Sequence, residues 1–169
     1  MKALNEDFTF EQLPANTRAE VLEAFTTSPT KVCYGPGQVF YRFVTPRKGV
    51  EAELSGNGIL DGYWWFDEQT RAHLSVLAWR QKIAFAKAAR SRLGVTADFN
   101  REMEYFCSIY LTAKVYGWAG RARWQDDKKL RITYPGGSNQ IYFPSLAANK
   151  DKTSSSVARI KMWAYLDEI

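Results

Sequence analysis

The run Gly62-Tyr63-Trp64-Trp65-Phe66, followed directly by Asp67 and Glu68, constrains this chain more than any other stretch. Successive side chains of an extended segment point to opposite faces. A strand here therefore presents Tyr63 and Trp65 on one face and Trp64 and Phe66 on the other. One pair can fill a core while the other stacks on a planar ligand, and Gly62 lets a ligand or a backbone come close. Asp67 is placed to cap a helix expected from about Glu68 to Arg92, with Glu68 in its first turn and Gly94 as its stop.

The remaining elements follow from periodicity and turn residues. Residues 10–26 read as a first helix, with Val21, Leu22 and Phe25 at helical spacing, and Thr26 to Thr30 as a loop. Tyr34-Gly35-Pro36-Gly37 is a turn that launches a strand over Gln38 to Val44, and a charged connector runs from Thr45 to Asn57. Met103, Tyr105, Cys107, Ile109 and Leu111 alternate with polar residues as in a half-buried strand. Val115 to Trp124 reads as a strand that Gly117 and Gly120 bend or bulge, and Gln125 to Lys129 as a charged turn. Short strands are expected over Leu130 to Tyr134 and Gln140 to Phe143, on either side of Pro135-Gly136-Gly137-Ser138-Asn139. Asn149 to Ser156 is polar, and Val157 to Leu166 alternates as a last strand, with a helix as the other option. The expected fold class is α+β, a single domain over 1–169 whose first 30 or so residues are helical.

Composition narrows the function classes. Aromatic residues make up 15% of the chain, enough for both a β-rich core and a pocket that grips a ring. The net charge of +5 suits an anionic ligand but falls short of a nucleic-acid signature, which requires clustering on one face. The N-terminus has no signal-peptide pattern and no apolar run is long enough to span a membrane, so a cytoplasmic protein, or one delivered by a non-classical route, is expected. Cys33 and Cys107 form no metal motif, and His73 is the only histidine. The acid pairs Glu102/Glu104 and Asp126/Asp127 lack companion ligands, so no metal is expected. Neither GxxxxGK[ST] nor GxSxG occurs.

Three features carry chemistry. Arg42 sits in the apolar run QVFYRFV, where a guanidinium requires a partner, and its planar fork suits a carboxylate or a diphosphate. The aromatic run at 63–66 is the second. The third is Tyr134-Pro135-Gly136-Gly137-Ser138-Asn139-Gln140, in which two glycines let backbone amides face a ligand and Gln140 offers a donor and an acceptor.

The order of these pieces resembles the toxin members of the ADP-ribosyltransferase-like superfamily. A Tyr41-Arg42 strand comes first, then Gly62-Tyr63-Trp64-Trp65 and a helix, then Val115-Tyr116-Gly117-Trp118-Ala119-Gly120-Arg121-Ala122, then Pro135-Gly136-Gly137-Ser138-Asn139-Gln140. The last two segments are similar to those of NAD-hydrolysing toxins of the tuberculosis-necrotising-toxin kind. The resemblance implies a split β-sheet clamp around NAD. Arg42 and Gln140 would then be the catalytic pair, and Arg42, Tyr41, Tyr63, Trp64, Trp65, Gly136 and Gly137 would hold NAD, with a cognate immunity protein as partner. The chain lacks the Ser-Thr-Ser and Glu-x-Glu of the transferases, and His73 falls on a predicted helix. A neutral Gln140 in place of Glu favours hydrolysis, with Glu68 as a reserve carboxylate. ADP-ribosyl transfer to a protein or nucleic acid is the alternative.

Two readings from other classes remain. Arg80, Lys82, Lys87, Arg90 and Arg92 on the long helix would suit a nucleic-acid-binding module. A purely structural or interaction protein would give Arg42 and Gln140 no shared pocket.

Overall fold

The computed structural model describes residues 2–44, 60, 62–97, 103, 105–146 and 157–165. A 3-10 turn, Phe10–Gln12, precedes helix α1, Ala15–Ala24; Pro14 separates them, so the single helix expected over residues 10–26 is two pieces. Strands β1 (Thr30–Tyr34) and β2 (Val39–Val44) flank the glycine turn, where Gly37 takes φ 84° and its N–H bonds the Leu111 carbonyl at 2.8 Å. β1 was not expected, because Thr30 closes what reads as a loop. Strand β3 is Trp64–Asp67.

Asp67 caps helix α2, Glu68–Gln81, accepting the Thr70 N–H at 2.8 Å. The long helix then breaks. Lys82 adopts a left-handed conformation (φ 53°), its N–H closes onto the last turn, and helix α3 runs Phe85–Leu93 to its Gly94 cap. A lysine gives no sequence signal for such a stop, which glycine usually supplies. Beyond it lie β4 (Tyr105–Leu111), β5 (Val115–Arg121), β6 (Gln125–Asp127), β7 (Ile132–Tyr134), β8 (Asn139–Tyr142) and β9 (Ala158–Tyr165). The charged stretch at 125–127 is thus a strand, and the turn follows it. Glu102, Glu104, the connector at 45–57 and the polar stretch at 149–156 lie outside the described residues.

Seven strands form one antiparallel sheet in the order β1-β5-β8-β3-β2-β4-β9, and β6 and β7 pair separately. This is the expected α+β class. The sheet curls strongly: Tyr34 on β1 and Phe40 on β2 meet edge to face at 5.0 Å, although three strands lie between them in the order. The inner face so enclosed buries Tyr34, Phe40, Trp65, Cys107, Ile109, Ile141 and Phe143. Each such aromatic or aliphatic side chain contributes roughly 1.5–3 kcal/mol when fully buried.

The outer face is covered by helices. α1 lays Val21 and Phe25 against Trp64, Trp118 and Tyr142. α2 and α3 bury Leu74, Ala89 and Leu93 against Tyr41, Phe43, Phe66 and Phe106. The glycines of β5 produce no bulge, since its pairing with β1 and β8 runs without a shift. They admit rings: a Cβ at Gly117 would come within 2.7 Å of Phe143 on the inner face, and one at Gly120 within 2.6 Å of Phe25 on the outer.

Candidate functional site

The C-terminus of α1 leaves carbonyls without helical donors, as any helix does. Here the Arg123 N–H reaches the Ala24 carbonyl at 2.9 Å, and two glutamines add their amides. Gln125 Nε2 donates to the Glu23 carbonyl at 3.2 Å, and Gln140 Nε2 donates to the Ala24 carbonyl at 3.0 Å. Because the carbonyl can only accept, the Gln140 amide nitrogen faces α1 and its Oε1 is left as an acceptor.

These contacts build a cleft of about 200 Å³ between α1, the loop after α3 and the outer face of β3 and β8. Trp64 and Gln140 line its sheet side, Glu20 and Glu23 the α1 side, and Leu93 to Thr96 the opposite wall. That wall is fixed by Gly94 at φ 66°, where a Cβ would come within 2.9 Å of the Arg123 carbonyl. Among the described residues, two carboxylates and no cation line the cleft. It suits a ring that carries positive charge, with an indole to stack on and an amide oxygen as acceptor.

The structure divides the residues that the sequence singles out. Trp64 and Gln140 share this cleft. Arg42 does not. It stands on the inner face, its guanidinium 5.3 Å from the centre of the Trp65 ring and packed against the bare backbone of Gly62. The registers place Trp65 opposite Ile141, so Gln140, one residue earlier, points to the outer face. A single site joining Arg42 to Gln140 is therefore not what the fold builds; the alternation along β8 puts them on opposite sides.

Tyr63 is half-exposed and stacks on Tyr142, ring centres 5.6 Å apart. Tyr41 is buried on the outer face beneath α2. Its hydroxyl donates to Glu68, which Arg71 holds through Nε at 2.9 and 3.0 Å. Burial, and then Glu68, push the Tyr41 phenol up to about 12, while Arg71 above all holds the Glu68 carboxyl below its ordinary value. Glu68 is thus tied into a Tyr41–Arg71 cluster and is not among the cleft-lining residues.

The glycine loop is spent on the protein itself. Gly136 N–H bonds Ser91 O at 3.0 Å, Gly137 N–H bonds Ala122 O at 2.8 Å, and Ser138 N–H bonds Arg92 O at 3.1 Å. Both glycines have positive φ, and a Cβ on Gly136 would lie 2.5 Å from two carbonyl oxygens. The loop seals the end of α3 against β5, and its amides do not face a ligand.

His73 is exposed on α2. Cys33 is exposed and Cys107 buried, and neither forms a disulfide. Asp127 accepts the Ala97 and Leu130 N–H groups at 2.7 and 2.9 Å, and no group of metal-binding side chains occurs among the described residues. The basic residues of the predicted long helix are divided between two helices, and Arg90 and Arg92 are drawn onto the Val95 and Gly136 carbonyls. No helix among the described residues is long and apolar enough to cross a membrane. Glu20, Glu23 and Gln125 escaped the sequence reading; Glu20 and Glu23 lie three apart, one turn of α1, but nothing marked that helix as a wall.

No family model matches the chain, and no curated protein does. Among solved structures it is similar to Tne2, determined in complex with Tni2, at 16% identity and a TM-score of 0.52. The match covers 81% of this chain and 91% of that one, so the likeness is one of whole fold.

Proposed function

We propose that this chain is an NAD-consuming enzyme of the bacterial toxin-effector type, ADP-ribosyltransferase-like in fold, that cleaves the nicotinamide–ribose bond with water as acceptor. The observation that carries the proposal is Gln140, whose amide is fixed by the Ala24 carbonyl so that Oε1 is left as an acceptor in a cleft shared with Trp64 and two carboxylates. The order of sequence motifs and the fold likeness to Tne2 support it, and Tni2 on Tne2 supports a cognate immunity-type partner here.

The chemistry fits the cleft. The nicotinamide ring of NAD is cationic and planar, so it stacks on Trp64 with Glu20 and Glu23 facing its charge. As the C1′–N1 bond breaks, the electron pair leaves with nicotinamide and positive charge builds on the ribose. The carboxylates draw the cationic ring into the cleft and keep the site negative as the charge moves from the ring to the adjoining ribose. Water bonds C1′ and loses its proton to solvent, giving ADP-ribose. Gln140 Oε1 orients the ribose hydroxyl or that water. The adenosine diphosphate end extends out of so small a cleft, away from the acids.

The test is incubation of the pure protein with labelled NAD, with and without cell lysate. Free nicotinamide with ADP-ribose is expected. Label retained on protein or nucleic acid would make the chain a transferase, and intact NAD would overturn the proposal. Arg42→Ala serves as a control. On the other face of the sheet, it should leave turnover within severalfold of the parent protein if this cleft is the site.

A further inference from the structure

Gln125 spans the cleft at its β6 end. Its side chain lies flat against the loop after α3, since a Cβ on Gly94 would meet Gln125 Cγ at 2.9 Å. Its Nε2 reaches across to the Glu23 carbonyl at 3.2 Å. The amide is thus clamped between two walls, with its nitrogen committed and Oε1 left as an acceptor. Thr96 stands in the same loop and is held on both sides. The Val95 N–H bonds the Arg90 carbonyl at 3.1 Å, and the Ala97 N–H bonds Asp127 Oδ2 at 2.7 Å. Asp127 lies two residues beyond Gln125 on β6, so both side chains leave the same face of the strand and meet the same loop. β6 therefore brings Gln125 and Thr96 together, and both line the cleft. Among the described residues, neither Gln125 Oε1 nor the Thr96 hydroxyl takes part in a hydrogen bond.

We infer that Gln125 and Thr96 read a primary carboxamide on the cationic ring, so that the substrate class is dinucleotides of a pyridinium carboxamide and the deamidated, acid form is rejected. The inference rests on the proposed NAD cleavage and adds its specificity. Gln125 Oε1 accepts an N–H of the carboxamide, and the Thr96 hydroxyl donates to its oxygen. One acceptor and one donor are the complement of an amide. A carboxylate at the same ring position would accept from Thr96, but it would set its charge against Gln125 Oε1, Glu20 and Glu23. The bond to the Glu23 carbonyl fixes the Gln125 amide before any ligand arrives, so binding does not have to order it. Gln140, rooted in β8 and not in β6, keeps its place at the ribose or the water.

The experiment compares kcat/KM of the full chain for NAD, for nicotinic acid adenine dinucleotide, and for the acetylpyridine analogue of NAD, which keeps the carbonyl but lacks the amide N–H. Every variant meets the same three leaving groups, so a change in the ratios between them reports recognition and not intrinsic reactivity. The parent protein is expected to prefer NAD to the acid form. Gln125→Lys keeps a donor for the Glu23 carbonyl but has no acceptor. It should move both ratios, NAD to acetylpyridine analogue and NAD to acid form, against NAD by roughly threefold to tenfold, the scale of one hydrogen bond. Gln125→Leu should move the first ratio in the same direction. Thr96→Val should lower kcat/KM for NAD and for the acetylpyridine analogue by a similar factor and leave their ratio unchanged. Melting temperatures establish that each variant is folded. Ratios unmoved in the Gln125 variants, or a parent protein that prefers the acid form, would overturn the inference and leave NAD cleavage standing. Intact NAD with the parent protein would overturn both.

Discussion

Gly62 lies so close under the Arg42 guanidinium that a Cβ built on it would fall 1.0 Å from Nη1. The same guanidinium sits over the Trp65 ring, and Trp65 in turn donates its indole N–H to the Gly62 carbonyl at 2.8 Å. Three residues far apart in type thus form one unit on the inner face. The glycine is required by the arginine and not by its own backbone angle.

That relationship predicts a thermodynamic coupling. Gly62→Ala should push Arg42 off Trp65 and destabilise the protein. In an Arg42→Ala background the same change should cost little, because the space is already empty. Contacting residues typically show interaction energies of about 0.5–3 kcal/mol in such cycles. Urea unfolding of the four proteins measures it, and additive effects would mean that the two side chains do not share the space.

The hydrogen bond from Gln140 to the end of α1 makes a second prediction. Gln140→Ala loses one bond, worth about 1 kcal/mol. Gln140→Glu should cost more at neutral pH, because a carboxylate cannot donate to the Ala24 carbonyl and adds a third negative charge beside Glu20 and Glu23. Lowering the pH to protonate the introduced carboxyl should recover part of the loss. Melting temperatures at pH 7 and pH 4, each relative to the parent at the same pH, check this. A Gln140→Glu variant as stable as Gln140→Ala at pH 7 would show that the amide does not hold the helix. NAD turnover should fall in both variants.

Much of the fold was legible because its signals are local. The aromatic run, the Asp67 cap, the Gly94 stop and the alternation from Tyr105 to Leu111 each depend on neighbours in the chain. The break at Lys82 was not legible, since it arises where α2 and α3 pack separately and leaves no glycine or proline behind. The site was legible in part. Residue types singled out Arg42, Trp64 and Gln140, but which face each occupies depends on strand register, a long-range property. A shift of one residue along β8 would exchange Gln140 for Ile141. Glu20 and Glu23 belong to the cleft only because Phe25 packs into the space that Gly120 leaves and draws α1 onto the sheet.

Alkaline pH should unfold the protein earlier than its charge alone suggests. Burial pushes the Cys107 thiol from 9.0 up to about 12 and the Tyr142 phenol from 10.0 up to about 12. The folded state therefore holds these protons more tightly than the unfolded state. The stability they supply is complete below about pH 9, and is lost as pH rises toward 12. Cys107, fully buried, can contribute a slope of up to about 1.4 kcal/mol per pH unit in that window. Urea midpoints from pH 8 to 12 should be level and then fall, and Tyr142→Phe should make the fall shallower. A midpoint unchanged to pH 12 would contradict the burial of these groups.

The charge of the cleft provides the sharpest test of ligand class. If Glu20 and Glu23 face a cationic ring, then Glu20→Gln/Glu23→Gln should weaken NAD more than reduced NADH, whose ring is neutral but otherwise similar in shape. Exposed charge pairs are worth about 0.2–1 kcal/mol each, so losing two should raise KM for NAD roughly twofold to thirtyfold. The inhibition constant for NADH should hardly move, because the same adenosine diphosphate is present in both and lies beyond the cleft. The kcat should change less than KM, because the charge that the acids face is already on the ring in the bound ground state. Equal weakening of NAD and NADH would assign the carboxylates to holding α1 in place, and tighter NAD binding in the variant would place the diphosphate, not the ring, beside them.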